Sequence, residues 1–351
     1  MAGYGVETNI IAGKVFKHTA KFTAPIPALS SALDLNFVRQ TYGKKSWHQQ
    51  RNFPLIGIGV IYTDYGNNAV FGNCLSIYPN LRFPLISGRK LDWTLRIGDG
   101  IGYVTRKYNR TIPIDTLNTA IGSNLNDFAI FMTDLSYNID HHWRLQLGAN
   151  FMHISNANYH RPNLGVNMVG AHIGVQYFMV NSRPKPVMQD IPKLKNRWLA
   201  EFRLGTGYTE ANAKGNPELP NYIVSGYASK RWWGMNKFFA GIDYAYHAST
   251  YDFLKTYGIN YGHEMGHAWD GTIFAGNEFL LGNIGIVTQV GYYYRLTYLK
   301  YGNDPLNEKI GVNYYLIQHE DGIIKELFLS AILTTHLTDA EYAEFGIGTG
   351  F

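Results

Sequence analysis

The 351-residue chain predicts an all-β protein built of antiparallel transmembrane strands that close into barrels. Two observations carry that prediction. Apolar and polar residues alternate over long runs while helical periodicity is almost absent. A strand sends successive side chains to opposite faces, so each run has one apolar and one polar side. The runs also exceed the ~5–6 residues of an ordinary globular strand and fit the ~9–11 that a tilted strand needs to cross a bilayer. A composition with 15% aromatic residues, 37 glycines and only 16% charged residues agrees with strands and tight turns and disfavours disorder.

Eight strands are expected in the first half, near 4–16, 32–41, 53–64, 69–78, 91–106, 125–139, 142–156 and 166–179. In the fifth, Trp93, Leu95 and Ile97 oppose Asp92, Thr94 and Arg96. In the sixth, Phe131, Thr133, Leu135 and Tyr137 oppose Asp134, Ser136 and Asn138. In the seventh, Trp143, Leu145, Leu147, Ala149 and Phe151 share a face with His153 and Ser155, against Arg144, Gln146, Gly148 and Asn150. In the eighth, Val169, Ala171, Ile173, Val175 and Tyr177 oppose Gly170, His172, Gly174 and Gln176. The polar, glycine-rich side suits a barrel lumen and the apolar side suits lipid.

"VNSRPKPVMQDIPKLKN" then breaks the alternation with three prolines and four basic residues, and residues 181–195 are read as a linker. Eight more strands are expected near 197–208, 220–231, 237–247, 266–279, 283–299, 309–319, 323–337 and 341–351. The ninth, for example, sets Trp198, Ala200, Phe202 and Leu204 against Arg197, Glu201 and Arg203. Phe351 ends the chain on an aromatic residue, as outer-membrane barrels commonly do. The halves look duplicated. Both contain His-x-(Ser/Thr)-(Asn/Asp)-Ala-x-Tyr before a last strand, at His153 and at His336. Two eight-stranded barrels (1–180 and 196–351) or one sixteen-stranded barrel would fit, and the aromatic strand ending each half favours two units.

Bulk properties narrow the classes further. No stretch approaches the ~18 uninterrupted apolar residues of a transmembrane helix. The mean hydropathy is slightly negative, which a soluble protein and an alternating membrane barrel both give. A net charge of +5 suits anionic phosphates of lipid or nucleic acid without choosing between them. Cys74, the single cysteine, excludes an intramolecular disulfide. No signal peptide is visible in "MAGYG", so an exported protein is expected here in processed form.

In an even-stranded barrel with a periplasmic amino end, the seventh strand rises to the cell surface. Its parity puts His153 and Ser155 on the lipid-facing side at the outer edge of the apolar band. Asn167, at the start of the next strand, shares that face. Polar groups there are costly unless they meet the interface or a substrate. Residues i and i+2 on one face are close enough for an imidazole to approach a hydroxyl, so His153 could act as general base for Ser155. Amide donors from Asn156 or Asn163, or loop N–H groups, could stabilise an oxyanion.

"HISNA" at 153–157, followed by "PNLG" at 162–165 and an outward-alternating strand, resembles the PagL-type lipid A 3-O-deacylase family of the outer membrane, over roughly residues 1–180. The resemblance implies an eight-stranded barrel with a Ser-His-Glu triad facing the outer leaflet, with no cofactor. It implies His153 as general base, Ser155 as nucleophile and Asn163 as the oxyanion-stabilising asparagine. The triad acid should fall at Asn167, where this chain has no carboxylate. An amide can still orient a histidine, but it does not offset the imidazolium charge. In the second half His336 and Thr338, with Asp339 beside them, occupy the corresponding positions, and no "PNLG" follows. That unit is therefore expected to be a degenerate copy.

Arg106, Lys107 and Arg110, between the fifth and sixth strands, and Arg161 beside the site are candidates for lipid A phosphates. "GKKSWHQQR" should lie at the periplasmic end. "HEMGH", His263 to His267, matches the H-E-x-x-H zinc motif, which works when a helix stacks both histidines on one face. Here the flanks read as loop and strand, a geometry that would hold the two rings ~13 Å apart, and no metal is expected. "GDGIGY" near Gly98 lies within a strand and is not a dinucleotide fingerprint.

The reading is an integral outer-membrane esterase that removes an ester-linked acyl chain from lipid A in the outer leaflet. The alternative is a non-catalytic barrel that serves as a channel or as a structural partner in an envelope complex. Lipopolysaccharide and the membrane are the expected partners, nucleic acid is not, and a homo-oligomer remains open.

Overall fold

A computed structural model describes residues 3–111, 114, 117–179, 185–188, 190, 197–211, 217–296, 305–336 and 339–351. The first eight strands are β1 (Tyr4–Phe16), β2 (Ser30–Gln40), β3 (Leu55–Asp64), β4 (Asn73–Ser87), β5 (Leu91–Val104), β6 (Leu125–Asn138), β7 (Trp143–Ser155) and β8 (Val166–Phe178). They pair in sequence order, and β1 pairs antiparallel with β8, which closes the sheet. The next eight are β9 (Trp198–Glu210), β10 (Glu218–Trp232), β11 (Asn236–His247), β12 (Trp269–Leu281), β13 (Ile284–Arg295), β14 (Leu306–Gln318), β15 (Glu326–His336) and β16 (Asp339–Gly350). Pairing of β9 with β16 closes them as a second barrel. Two closed eight-stranded barrels therefore replace the single sixteen-stranded alternative. Most of the linker segment lies outside the described residues.

The chain divides into two compact units, Met1–Asn156 with Pro162–Asp190, and Ala157–Arg161 with Ile191–Phe351. Short helices, α1 (Ser46–Gln50) and α2 (Ala248–Thr256), interrupt the hairpins. β4 departs most from expectation. It begins at Asn73 instead of 69 and runs past Pro79 and Pro84 to Ser87. The ladder to β5 shifts register between Pro84 and Ile86, so the ring that lacks an N–H sits beside an irregularity where no donor is required.

Each barrel is apolar outside and polar within, the reverse of a soluble protein. In the first unit Ile10, Leu33, Phe37, Ile58, Leu147 and Ile173 are exposed on the outer wall. Tyr4, Trp93, Tyr137, Trp143 and Tyr177 are exposed at the end where β1 begins, the position of an interfacial aromatic girdle.

The lumens are filled by ion pairs. Eight strands leave room only for side chains, and a charge removed from water has to find a partner. In the first barrel Arg96 meets Glu7 at 3.1 Å and Asp34 at 2.7 Å, Arg82 meets Glu7 at 2.6 Å, and His172 meets Asp134 at 2.7 Å. In the second, Lys237 sits 3.0–3.1 Å from Glu201, Glu278 and Glu326. A cavity there of 20 Å³, bordered by Arg203 and Glu278, would hold about one water. These interiors are packed, and they lend the channel alternative no support.

At the end of the first barrel opposite the girdle, the interstrand loops fold inward as an apolar plug. Phe22, Tyr65, Val70, Phe71, Ala120 and Ile121 pack on Val15, Cys74, Val104, Ile154 and Val166. Ile154 and Val166 point into this plug, so their immediate neighbours must point outward. That fixes the orientation of the residues considered next.

Candidate active site

The outward face of β7 ends in Phe151, His153 and Ser155. In the ladder to β8, His153 lies directly opposite Asn167. Cross-strand partners on one face hold their Cβ atoms ~4.5–5.5 Å apart, so short side chains can meet. They do: His153 Nδ1 lies 2.6 Å from Asn167 Oδ1, and His153 Nε2 lies 2.9 Å from Ser155 Oγ. With the amide oxygen facing Nδ1, the ring carries its proton there and donates it to Asn167. Nε2 then holds a lone pair toward Ser155, the tautomer a general base needs.

The loop between β7 and β8 shields this group. Ser155 is only 5% exposed and Asn167 8%. Gly165 is what brings the loop so close. Its φ is +72°, and a Cβ at this position would stand 2.8 Å from His153 Cε1 and 3.3 Å from Ser155 Cβ. Its N–H donates to the Ala120 carbonyl at 2.9 Å, which ties the loop to the plug.

The two asparagines of the loop differ in what they leave available. Asn156 donates its N–H to Asn163 Oδ1 at 2.8 Å and its Nδ2 to Ser123 Oγ at 2.8 Å. Its backbone N–H and one of its two amide N–H groups are thus engaged within the loop region. Asn163, its oxygen locked by that bond, has a buried Nδ2 without a partner. A buried donor without a partner is costly unless something fills it in the working state.

Three polar candidates thus come together as expected, His153, Ser155 and Asn167, with Asn163 in the loop beside them. The basic candidates do not join them. Arg106, Lys107 and Arg110 are exposed in the segment after β5. Arg161 falls in the segment Ala157–Arg161, which groups with the second unit.

Two outward-facing charges near the dyad were missed. Asp127 lies opposite Ser155 in the β6–β7 ladder. Lys14 faces outward from β1, two residues before Phe16, which pairs with Asn167. The signal was in the sequence. Continuing the outward series of β6 back from Phe131 through Ala129 reaches Asp127, and the outward series of β1 contains Lys14.

The second unit differs in phase. On β15 Leu329, Ala331 and Leu333 face outward, so His336, an odd number of residues away, faces the lumen. It is 4% exposed and stacks near Tyr293 at 6.3 Å between ring centroids. Thr338 lies outside the described residues, and Asp339 opens β16. The motif at His263–His267 also departs from its expected geometry. His267 N–H donates to the His263 carbonyl at 3.2 Å, closing a single helical turn, and a 3-10 turn over Gly266–Ala268 follows before β12 begins at Trp269. Among the described residues no group of three or more His, Cys, Asp or Glu side chains is arranged to hold a metal.

Residues 32–176 match the family model described as lipid A 3-O-deacylase (PagL), and residues 198–351 match the one described as acyloxyacyl hydrolase, C-terminal domain. The chain belongs to the PagL-type lipid A deacylase family. It is thereby an outer-membrane β-barrel of hydrolase class, whose family acts on lipid A. Solved structures similar to it include the outer membrane enzyme PagL, 14% identical, with a TM-score of 0.33 over 51% of this chain and 99% of that one. Neisserial surface protein A is 13% identical, with a TM-score of 0.35 over 50% of this chain and 97% of that one. No curated protein matches the chain.

Proposed function

We propose that His153, Ser155 and Asn167 are the catalytic group of an esterase that removes an acyl chain from lipid A at the outer leaflet. The observation that carries this reading is the unbroken hydrogen-bond relay from Asn167 through His153 to Ser155 on the outward wall. Ser155 Oγ attacks the ester carbonyl carbon while His153 Nε2 takes its proton. The carbonyl oxygen becomes an oxyanion and receives the Nδ2–H of Asn163. Collapse of the intermediate breaks the bond to the sugar oxygen, which takes the proton from His153. Water then repeats the sequence on the acyl-serine, releasing a fatty acid and restoring Ser155.

The surroundings suit such a substrate. Phe151 lies 6.2 Å from both Phe16 and Phe131 between ring centroids, an aromatic floor on the lipid side of the dyad where an acyl chain can lie. Lys14 can extend along that surface toward phosphates at headgroup level. Arg106, Lys107 and Arg110 are further cations at the same end of the barrel. A fluorophosphonate probe tests the nucleophile directly. Covalent modification is expected on the peptide containing Ser155, and modification elsewhere, or none in folded protein, would overturn the assignment.

Gly165→Ala is expected to lower kcat by roughly 10- to 100-fold. The left-handed backbone costs a non-glycine residue ~1–2 kcal/mol, and the new methyl group pushes the imidazole off Ser155. Turnover is measured alongside the heat-dependent gel shift of the folded barrel, which should persist.

The second unit is read as non-catalytic, because its histidine faces the lumen. His336→Ala should leave lipid A deacylation within about twofold of wild type, since a side chain turned into a packed lumen does not reach a lipid substrate. A fall as deep as that of a His153 variant would show that the second unit takes part in the chemistry.

A further inference from the structure

The outward surface around the dyad is electrically lopsided. At the level of His153 one lateral row runs Phe16, Asn167, His153, Ala129, Asp99 across β1, β8, β7, β6 and β5. One row nearer the loops, Ser155 stands beside Asp127. Two carboxylates therefore occupy the β5–β6 flank. Asp127 lies in phase with exposed Leu125 and Phe131, so its carboxylate is on the lipid side and not among the arginines of the lumen. Among the described residues it forms no hydrogen bond or ion pair, and its only marked electrostatic neighbour is Asp99, of like charge.

A charge on the lipid-facing wall of a barrel is costly, and a partnerless carboxylate beside a second one is more so. Neither packing nor pairing within the protein offsets that cost. The position opposite the nucleophile ties the carboxylate to whatever lies next to the scissile ester. A carboxylate accepts hydrogen bonds and donates none, so it calls for a donor on the substrate, and a hydroxyl is one that suits it.

We propose that Asp127 is a specificity-determining residue that accepts a hydrogen bond from a hydroxyl group borne next to the scissile ester, and so selects hydroxylated glycolipid esters over phospholipid esters. The inference rests on Ser155 being the nucleophile. A hydroxylated ester satisfies the carboxylate on binding. A diacylglycerol phospholipid has no hydroxyl near its esters and strips water from Asp127 without replacing it. A site built to bind a hydroxyl rejects analogues that lack one because its own polar group is left unpaired. Two sources carry such a hydroxyl, the sugar ring and a 3-hydroxyacyl chain.

The test uses the full-length protein in detergent–lipid micelles with three substrates: a glucosamine lipid carrying a 3-hydroxyacyl ester, the same lipid with an unsubstituted acyl ester, and diacyl phosphatidylethanolamine. For Asp127→Asn the ratio of kcat/KM on the hydroxyacyl glycolipid to that on the phospholipid should fall by roughly 10- to 100-fold, the effect of one charge-assisted hydrogen bond. A fall confined to the hydroxyacyl lipid assigns the acyl hydroxyl, and a fall shared by both glycolipids assigns the sugar hydroxyl; each supports the proposal. An unchanged ratio overturns it, whether all rates drop together or none moves. Asp127→Ser, smaller and still polar, should show the same collapse and guards against a folding defect in the first variant. Ser155→Ala is run in parallel: activity surviving there would mean that the catalytic reading has failed, a result distinct from an unchanged ratio for Asp127→Asn.

Discussion

Ser155→Ala is expected to leave lipid A fully acylated in cells that express it, whereas the wild-type protein should yield a species lighter by one acyl chain. In purified form the variant should lose at least ~10³-fold in kcat/KM, about 4 kcal/mol of transition-state stabilisation. Removing the nucleophile takes away the covalent route altogether, while the aromatic floor, Asn163 and the barrel remain. His153→Ala should fall about as far, because a nucleophile and its base act as one unit and their losses do not add. The double variant is therefore expected to match either single one. Mass spectrometry of extracted lipid A reads the first result and fatty-acid release from micelles the second. Equal acylation with wild-type and Ser155→Ala protein, both folded as judged by heat-dependent gel mobility, would remove the catalytic reading and leave a structural barrel.

Asn167→Asp should make the enzyme faster, by roughly 10- to 100-fold in kcat, or about 1.4–2.7 kcal/mol. The change is isosteric, and the oxygen that now lies 2.6 Å from His153 Nδ1 keeps its place. A carboxylate adds what the amide lacks, a charge to offset the imidazolium formed as Ser155 gives up its proton. The gain is smaller than the ~10⁴-fold by which serine proteases suffer from the reverse substitution. Part of that loss reflects a wrong tautomer, and here the amide oxygen already sets the right one. Asn167→Ala should go the other way, by ~10²-fold, because the ring loses its anchor. A folded Asn167→Asp protein no faster than wild type would mean that the chemical step does not limit turnover or that charge at this position is irrelevant.

The expected strands and their lipid-facing sides matched the structure closely, because strand geometry is local. Once alternation is set, each side chain's face follows from its number, and His153, Ser155 and Asn167 could be assigned outward from parity alone. The same rule, carried further, reaches Asp127 and Lys14 and shows His336 to be out of phase with Leu329, Ala331 and Leu333. "HLTDA" resembles "HISNA" in its letters but not in its phase on the strand. β4 outran its expected end, and its ladder tolerates Pro84 because it is irregular there and no N–H is required.

What the sequence by itself determined is therefore the alternation, the approximate span of most strands and the side each residue takes. Local backbone geometry dictates these, and no distant contact is needed. Which strands close on one another was decided only by the tertiary structure. β1 could have paired beyond β8, and it is the pairing of residues far apart in the chain that makes two packed barrels instead of one wide pore. The same holds for the neighbours of Ser155. Asp127, Asn167 and Gly165 reach it through cross-strand register and a folded loop, and a cross-strand register joins positions that sequence distance does not relate.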